Sequence, residues 1–159
     1  MHTHLQRGLY PKRLFRRKVK SHTFIYFDSN SAAATPGKVS TLRKKFTFII
    51  ATPPYDKTGA FTAARVGLTA MMEELPTTII LMEDGVYCGV KGQHSTQFFQ
   101  VVQVLQDFME AGGKLLVCGL CIKERGIGAE NLIEGAEVID IHRLVNTMKE
   151  SDQTVFFGA

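Results

Sequence analysis

Cys118 and Cys121 stand three residues apart in the stretch from Lys114 to Gly126, KLLVCGLCIKERG, where an apolar run gives way to a basic segment. Two thiols at that spacing can attack sulfur, close a disulfide or hold a metal ion. Backbone N–H groups at the start of a helix favour a thiolate, and Lys123 and Arg125 add positive charge. Either sulfur is therefore expected to have a lowered pKa and to act as a nucleophile. Cys118 is the better nucleophile, because the turn that follows encloses it less. A metal is the weaker reading, since one such pair supplies half of a tetrahedral site and no second Cys-x-x-Cys or His-x-x-x-His follows. Two small buried hydrophobes remain the plain alternative, as free cysteines often are.

Other residues with chemical potential are less tightly patterned. Lys123 and Arg125 are candidates to hold an anionic sulfur species, or else ordinary solvated charge. Cys88 is a possible auxiliary thiol, or an inert one. His94 and His142 lack a spaced partner and read as surface or capping residues rather than general bases. Glu83 and Asp84 read as loop caps. The first apolar run ends at Pro53, Pro54 and Tyr55 rather than in a glycine-rich loop, which argues against nucleotide binding.

The elements that must position the thiols follow from periodicity. The continuous apolar run with β-branched residues at Thr47 to Thr52 predicts a strand buried on both faces, Thr77 to Met82 a second buried strand, and Lys114 to Val117 a third strand. Phe61, Ala64, Leu68 and Met72 recur at helical spacing, and Pro76 closes that helix. Ser95 is placed to cap a helix carrying Phe98, Val102, Leu105 and Met109, which Gly112 and Gly113 end. A strand over Ala136 to Ile139, a helix over Ile141 to Lys149 and a strand over Thr154 to Phe157 complete the pattern. Strictly alternating strands and helices predict an α/β fold: a three-layer α/β/α arrangement around a mainly parallel sheet of about five strands. Ligands collect beyond the carboxyl ends of such strands, so the segments 53–59, 84–92 and 118–126 are expected on one rim, and all three cysteines with them.

Three stretches carry a resemblance: Val117 to Ile127 with its two cysteines, Met82 to Tyr87 (MEDGVY), and Leu132 to Val138 (LIEGAEV). Together they resemble the DsrE/DsrF family of sulfur-relay proteins, which includes subunits that pass sulfur toward tRNA thiolation. The similarity spans roughly Phe46 to Ala159. It implies a three-layer domain, assembly as a homotrimer or homohexamer, and a persulfide on the cysteine after the third strand, which by position is Cys118. Cys121 departs from the members with a single cysteine in this loop. A neighbouring thiolate can attack the inner sulfur of a persulfide and release hydrosulfide, so Cys121 is placed to resolve or discharge the carried sulfur. The expected function is sulfurtransferase or persulfide carrier, with Cys118 as acceptor and Cys121 assisting. Its partners would be sulfur donor and acceptor proteins or small sulfane-sulfur compounds, and it would need no organic cofactor or metal. Two other readings stay open: a non-catalytic oligomeric subunit, and a dithiol redox protein that cycles a Cys118–Cys121 disulfide.

Composition sets the frame. A chain of 159 residues fits one domain that buries roughly two-thirds of its unfolded surface. Three cysteines make no secreted framework, no apolar run approaches a membrane span, and no apolar signal core follows Met1, so a cytoplasmic location is expected. The charge is divided sharply. Residues 1–45 hold 11 Lys/Arg against one acid, and residues 46–159 hold 8 against 14. The basic 1–45 segment reads as a low-order leader before the 46–159 domain: a dispensable extension, an arm for nucleic acid or another anionic surface, or a transit peptide.

Overall fold

The computed structural model describes residues 44–95 and 100–158. The basic leader, apart from Lys44 and Lys45, lies outside the described residues, as does Phe98 of the expected Ser95-capped helix start. The elements run β1 (Phe46–Ile50), α1 (Gly59–Met72), β2 (Thr77–Leu81), a 3₁₀ segment (Glu83–Gly89), α2 (Val101–Glu110), β3 (Lys114–Cys118), α3 (Gly119–Glu124), a 3₁₀ turn (Ala129–Asn131), β4 (Glu137–Ile139), α4 (Ile141–Lys149) and β5 (Gln153–Phe157). All five strands are parallel, in the order β4-β3-β2-β1-β5.

Alternation along each strand splits the core into two layers. Phe48 pairs with Ile79 and lies under α1, where Gly67 brings the helix backbone close to both side chains. Their neighbours Ile49 and Ile80 face the other way and join Leu116, Ile139 and Leu144 of α4. Thus α1, which packs against α2, covers one face while α4 covers the other. The three-layer expectation holds, and the sheet is wholly rather than mainly parallel. The final strand expected over Thr154 to Phe157 is β5, an outer strand of the sheet, and its first four residues are exposed. Among the described residues no helix is long and apolar enough to cross a membrane.

Local sequence explains where the helices begin and end. Asp140 caps α4 by accepting the Arg143 N–H at 2.7 Å. Gly112, at φ +91°, ends α2 in the left-handed conformation that glycine adopts without strain. Gly85 meets a different demand. The 83–89 segment folds back over the end of β1, with the Gly85 N–H on the Ala51 carbonyl, and a Cβ at Gly85 would lie 2.0 Å from the Ile50 carbonyl oxygen.

That segment also carries Cys88 inward. Cys88 has 0% exposure, its thiol donates to the Thr52 carbonyl at 3.6 Å, and burial pushes its pKa up to about 12. The expected gathering of three cysteines on an open rim thus reduces to two, with the third sealed beneath it. Cys88 packs as a core residue rather than standing ready as an auxiliary thiol.

Two consequences are measurable. Gly85→Ala puts a methyl group into backbone that cannot swing aside, so a loss at or above the ~1–3 kcal/mol typical of overpacking is expected in urea unfolding. An unchanged midpoint would contradict the close approach. For Cys88 the folded pKa lies above the unfolded one. Its contribution is therefore intact below about pH 8.5 and lost as pH rises toward about 12, at roughly 1.4 kcal/mol per unit. Cys88→Ala should unfold with a shallower alkaline stability loss than the wild type, and identical slopes would sink the assignment.

Candidate functional site

β3 ends at Cys118, and the chain turns there directly into α3. Cys118 is the N-cap residue, with extended backbone at φ −62° and ψ 111°, and its Sγ accepts the N–H of Cys121 at 3.3 Å. Sulfur thus does at this helix start what Ser or Asp oxygen usually does. Both thiols are free and half-buried. The expected placement of the pair, at the strand end and one turn on, is what the structure displays.

The two sulfurs are not equivalent. The Cys121 thiol pKa is raised, first by burial and then by the hydrogen bond it shares with the Cys118 side chain and by the negative charge Cys118 carries when ionised. The backbone N–H of Glu83 and the Arg125 guanidinium pull the other way without overcoming these effects. The expectation of a lowered pKa therefore fails at Cys121. A helix of six residues and one nearby cation do not offset desolvation beside a second sulfur.

Arg125 fastens the site from below. Its Nε and Nη2 donate to Asp84 Oδ1 at 2.9 and 2.8 Å, while Nη1 donates to the Cys121 carbonyl at 3.1 Å. The guanidinium therefore ties the thiol-bearing helix to the 83–89 segment across the end of the sheet. Hydrogen bonding to Asp84 raises the Arg125 pKa further, so its charge is permanent. This engagement makes Arg125 a positioning residue rather than a free anion hook. Lys123 is exposed on the same short helix and remains available to an incoming anion.

Two participants were not legible as such. Glu83 acts through its backbone N–H from a positive φ of 48°, a conformation its residue type does not announce. Asp84 is 41 positions from Arg125, and nothing in the sequence links them. Leu120, between the cysteines, is 67% exposed and places an apolar side chain beside the thiols. His94 and His142 are exposed, and neither makes a hydrogen bond to Cys118 or Cys121. Among the described residues no three potential metal ligands cluster, so the pair offers two sulfurs to a metal and nothing further.

Comparison with known proteins agrees with this architecture. The chain is 41% identical to an uncharacterised protein of Methanopyrus kandleri over 111 residues, 70% of this chain and 92% of that one. It is 42% identical to an uncharacterised protein of Methanocaldococcus jannaschii over 113 residues, 71% of this chain and 99% of that one. Among solved structures, the YchN protein of Escherichia coli superposes with a TM-score of 0.69 at 24% identity, covering 72% of this chain and 99% of its own. A protein of unknown function from Methanobacterium thermoautotrophicum superposes with a TM-score of 0.58 at 14% identity, covering 71% and 98%. These likenesses share the fold, and the family model for DsrE/DsrF-like proteins matches residues 44–157, so the chain belongs to the DsrE/DsrF-like family.

Proposed function

We infer that this protein handles sulfane sulfur, with Cys118 as the acceptor and Cys121 as the thiol that governs release. One observation carries the reading: Cys118 Sγ receives the Cys121 N–H while the Cys121 thiol is held protonated beside it. In the charging step the Cys118 thiolate attacks the outer sulfur of a persulfide or thiosulfonate donor. The donor's S–S bond breaks, the donor leaves as thiolate or sulfite, and Cys118 keeps the sulfur as a persulfide. In the release step the deprotonated Cys121 attacks the inner sulfur of Cys118. A Cys118–Cys121 disulfide forms, hydrosulfide leaves, and the two electrons lost by the thiols reduce the sulfane sulfur. A small thiol or dithiol reductant then restores the pair. With Cys121 protonated at neutral pH, the persulfide is held for transfer to an acceptor protein rather than discharged. A cytoplasmic setting, where reductant is present, suits this cycle.

A second reading concerns assembly. Ile141, Val145 and Met148 form an exposed apolar stripe on α4, and Phe156 is 58% exposed on the same side of the sheet. We read these surfaces as contacts between copies of the chain in a homotrimer or homohexamer. In the non-catalytic version of this reading the thiols only tune stability. A dithiol redox cycle without sulfane sulfur is the third version, and the first experiment below separates all of them.

Reduced protein incubated with polysulfide or thiosulfate is expected to gain ~32 Da by intact mass, the increment of one sulfur atom on a thiolate. Cys121→Ser should retain that adduct, while Cys118→Ser should not form it. If neither wild type nor Cys121→Ser gains sulfur, the carrier reading fails. Disulfide formation without hydrosulfide would indicate the redox cycle. Hydrosulfide release from charged wild type should keep rising as pH passes the ordinary thiol range near 8.5, because the attacking thiolate of Cys121 forms only above it. A release rate already level at pH 8 would contradict a protonated Cys121. For assembly, Val145→Asp should shift the solution mass toward the 17.7 kDa single chain, and an unchanged mass would remove α4 from the contact.

A further inference from the structure

The carboxyl rim holds a second feature, two strands away from the thiols. β1 is where the sheet's winding reverses. From β1 the chain proceeds through β2 and β3 to β4, and β5 then adds on the opposite side of β1. In open parallel sheets the crevice beyond such a strand is where ligands sit.

At that point α1, fourteen residues long, starts without a cap. Thr58 at the N-cap position makes no side-chain hydrogen bond to the helix, and the first turn contains no acid. The N–H groups of Gly59 and Ala60 donate to no acceptor among the described residues. α2 likewise has no side-chain cap, whereas Cys118 caps α3 and Asp140 caps α4. Directly beneath lies Thr52, 6% exposed, and its Oγ1 has no hydrogen-bond partner. That hydroxyl is aimed at the helix start, 3.4 Å from where a Cβ on Gly59 would stand. The glycine keeps the space between hydroxyl and helix free of side chain. Lys57 and Asp56 are both exposed in the preceding turn, so the loop adds no net charge against an anion.

We propose that the amino end of α1, with Thr52 beneath it, binds a small oxyanion. Unpaired N–H groups and the positive end of the helix dipole both favour negative charge. The Thr52 hydroxyl, left without a partner by the fold, gains an acceptor when the anion enters, which removes an otherwise unsatisfied buried group. Entry requires the 53–58 loop to yield, since the hydroxyl itself is covered. Phosphate, sulfate and thiosulfate share this chemistry, and of the three thiosulfate alone carries sulfane sulfur. The site stands on its own geometry, whether or not Cys118 carries sulfur.

The test uses the full chain in phosphate-free buffer at constant ionic strength. Inorganic phosphate, sulfate and thiosulfate are titrated separately while the ¹H–¹⁵N signals of Gly59 and Ala60 and the melting temperature are followed. Saturable movement of both amides with a rise in melting temperature is expected with at least one anion. A response to thiosulfate alone would identify a sulfane-sulfur donor as the ligand, and a response to all three a general oxyanion. Thr52→Val keeps the shape and removes the hydroxyl. It should be at least as stable as wild type without anion and should bind tenfold or more weakly. No saturable shift with any of the three overturns the proposal. So does wild-type affinity in Thr52→Val, or a loss of stability in that variant without anion. Should the variant fail to fold, the wild-type amide titration decides alone.

Discussion

Every strand of this domain points the same way, and that constraint governs where chemistry can happen. A parallel strand cannot be followed by a hairpin, so the chain must cross back over the sheet after each one, here through a helix on one face or the other. All five carboxyl ends therefore lie on one rim. The segment after each strand starts there, and its first backbone N–H groups stand open to whatever the loop supplies. At β3 that supply is sulfur. At α4 it is the Asp140 carboxylate, and at α1 it is nothing from the chain itself.

The dithiol takes its character from two neighbouring turns rather than from its own spacing. Cys118 and Cys121 would be a generic pair on an isolated helix start. The 83–89 segment changes them by bringing the Glu83 N–H to Cys121 and the Asp84 carboxylate to Arg125, which in turn grips the Cys121 carbonyl. Gly85 makes this possible, since only a residue without Cβ lets the segment lie against Ile50. A backbone contact at the end of β1 is thereby transmitted to a thiol at the end of β3. The same folding-over buries Cys88 and leaves it unable to ionise in the physiological range.

Much of this was legible from residue patterns, and the reasons for the rest are specific. The runs at 47–52, 77–82 and 114–117 announced β1 to β3 because buried parallel strands read as continuous apolar sequence. The helix over Ile141 to Lys149 matched α4 to the residue because Asp140 is a strong N-cap and the apolar spacing is regular. The edge position of β5 was hidden, since Val155, Phe156 and Phe157 have the same composition in an outer strand as in a central one. At the site, the Cys118 placement was readable from a strand running into a turn. The burial of Cys88 was not, because it depends on a glycine-led 3₁₀ fold-back that leaves no periodic trace. The protonation of Cys121 was also misjudged from charge. Lys123 and Arg125 suggested depressed pKa values at both sulfurs, but Arg125 is engaged with Asp84, and desolvation dominates at Cys121.

The exposed apolar residues complete the picture of a rim served by its surroundings. Leu120 stands between the two cysteines, and the stripe Ile141, Val145 and Met148 runs along α4, which follows β4 directly beside β3. A half-buried thiol next to uncovered apolar surface is in an environment that a docking chain would dry out. Drying acts on the two sulfurs in the same direction as burial already does at Cys121, favouring its neutral form. A persulfide on Cys118 would then be least exposed to attack by Cys121 while a partner is engaged. Water returning to the site after the partner leaves would restore the balance toward thiolate. Under the proposed sulfur-handling function, contact with other chains and retention of sulfur would be linked through a single physical variable, the hydration of Cys121.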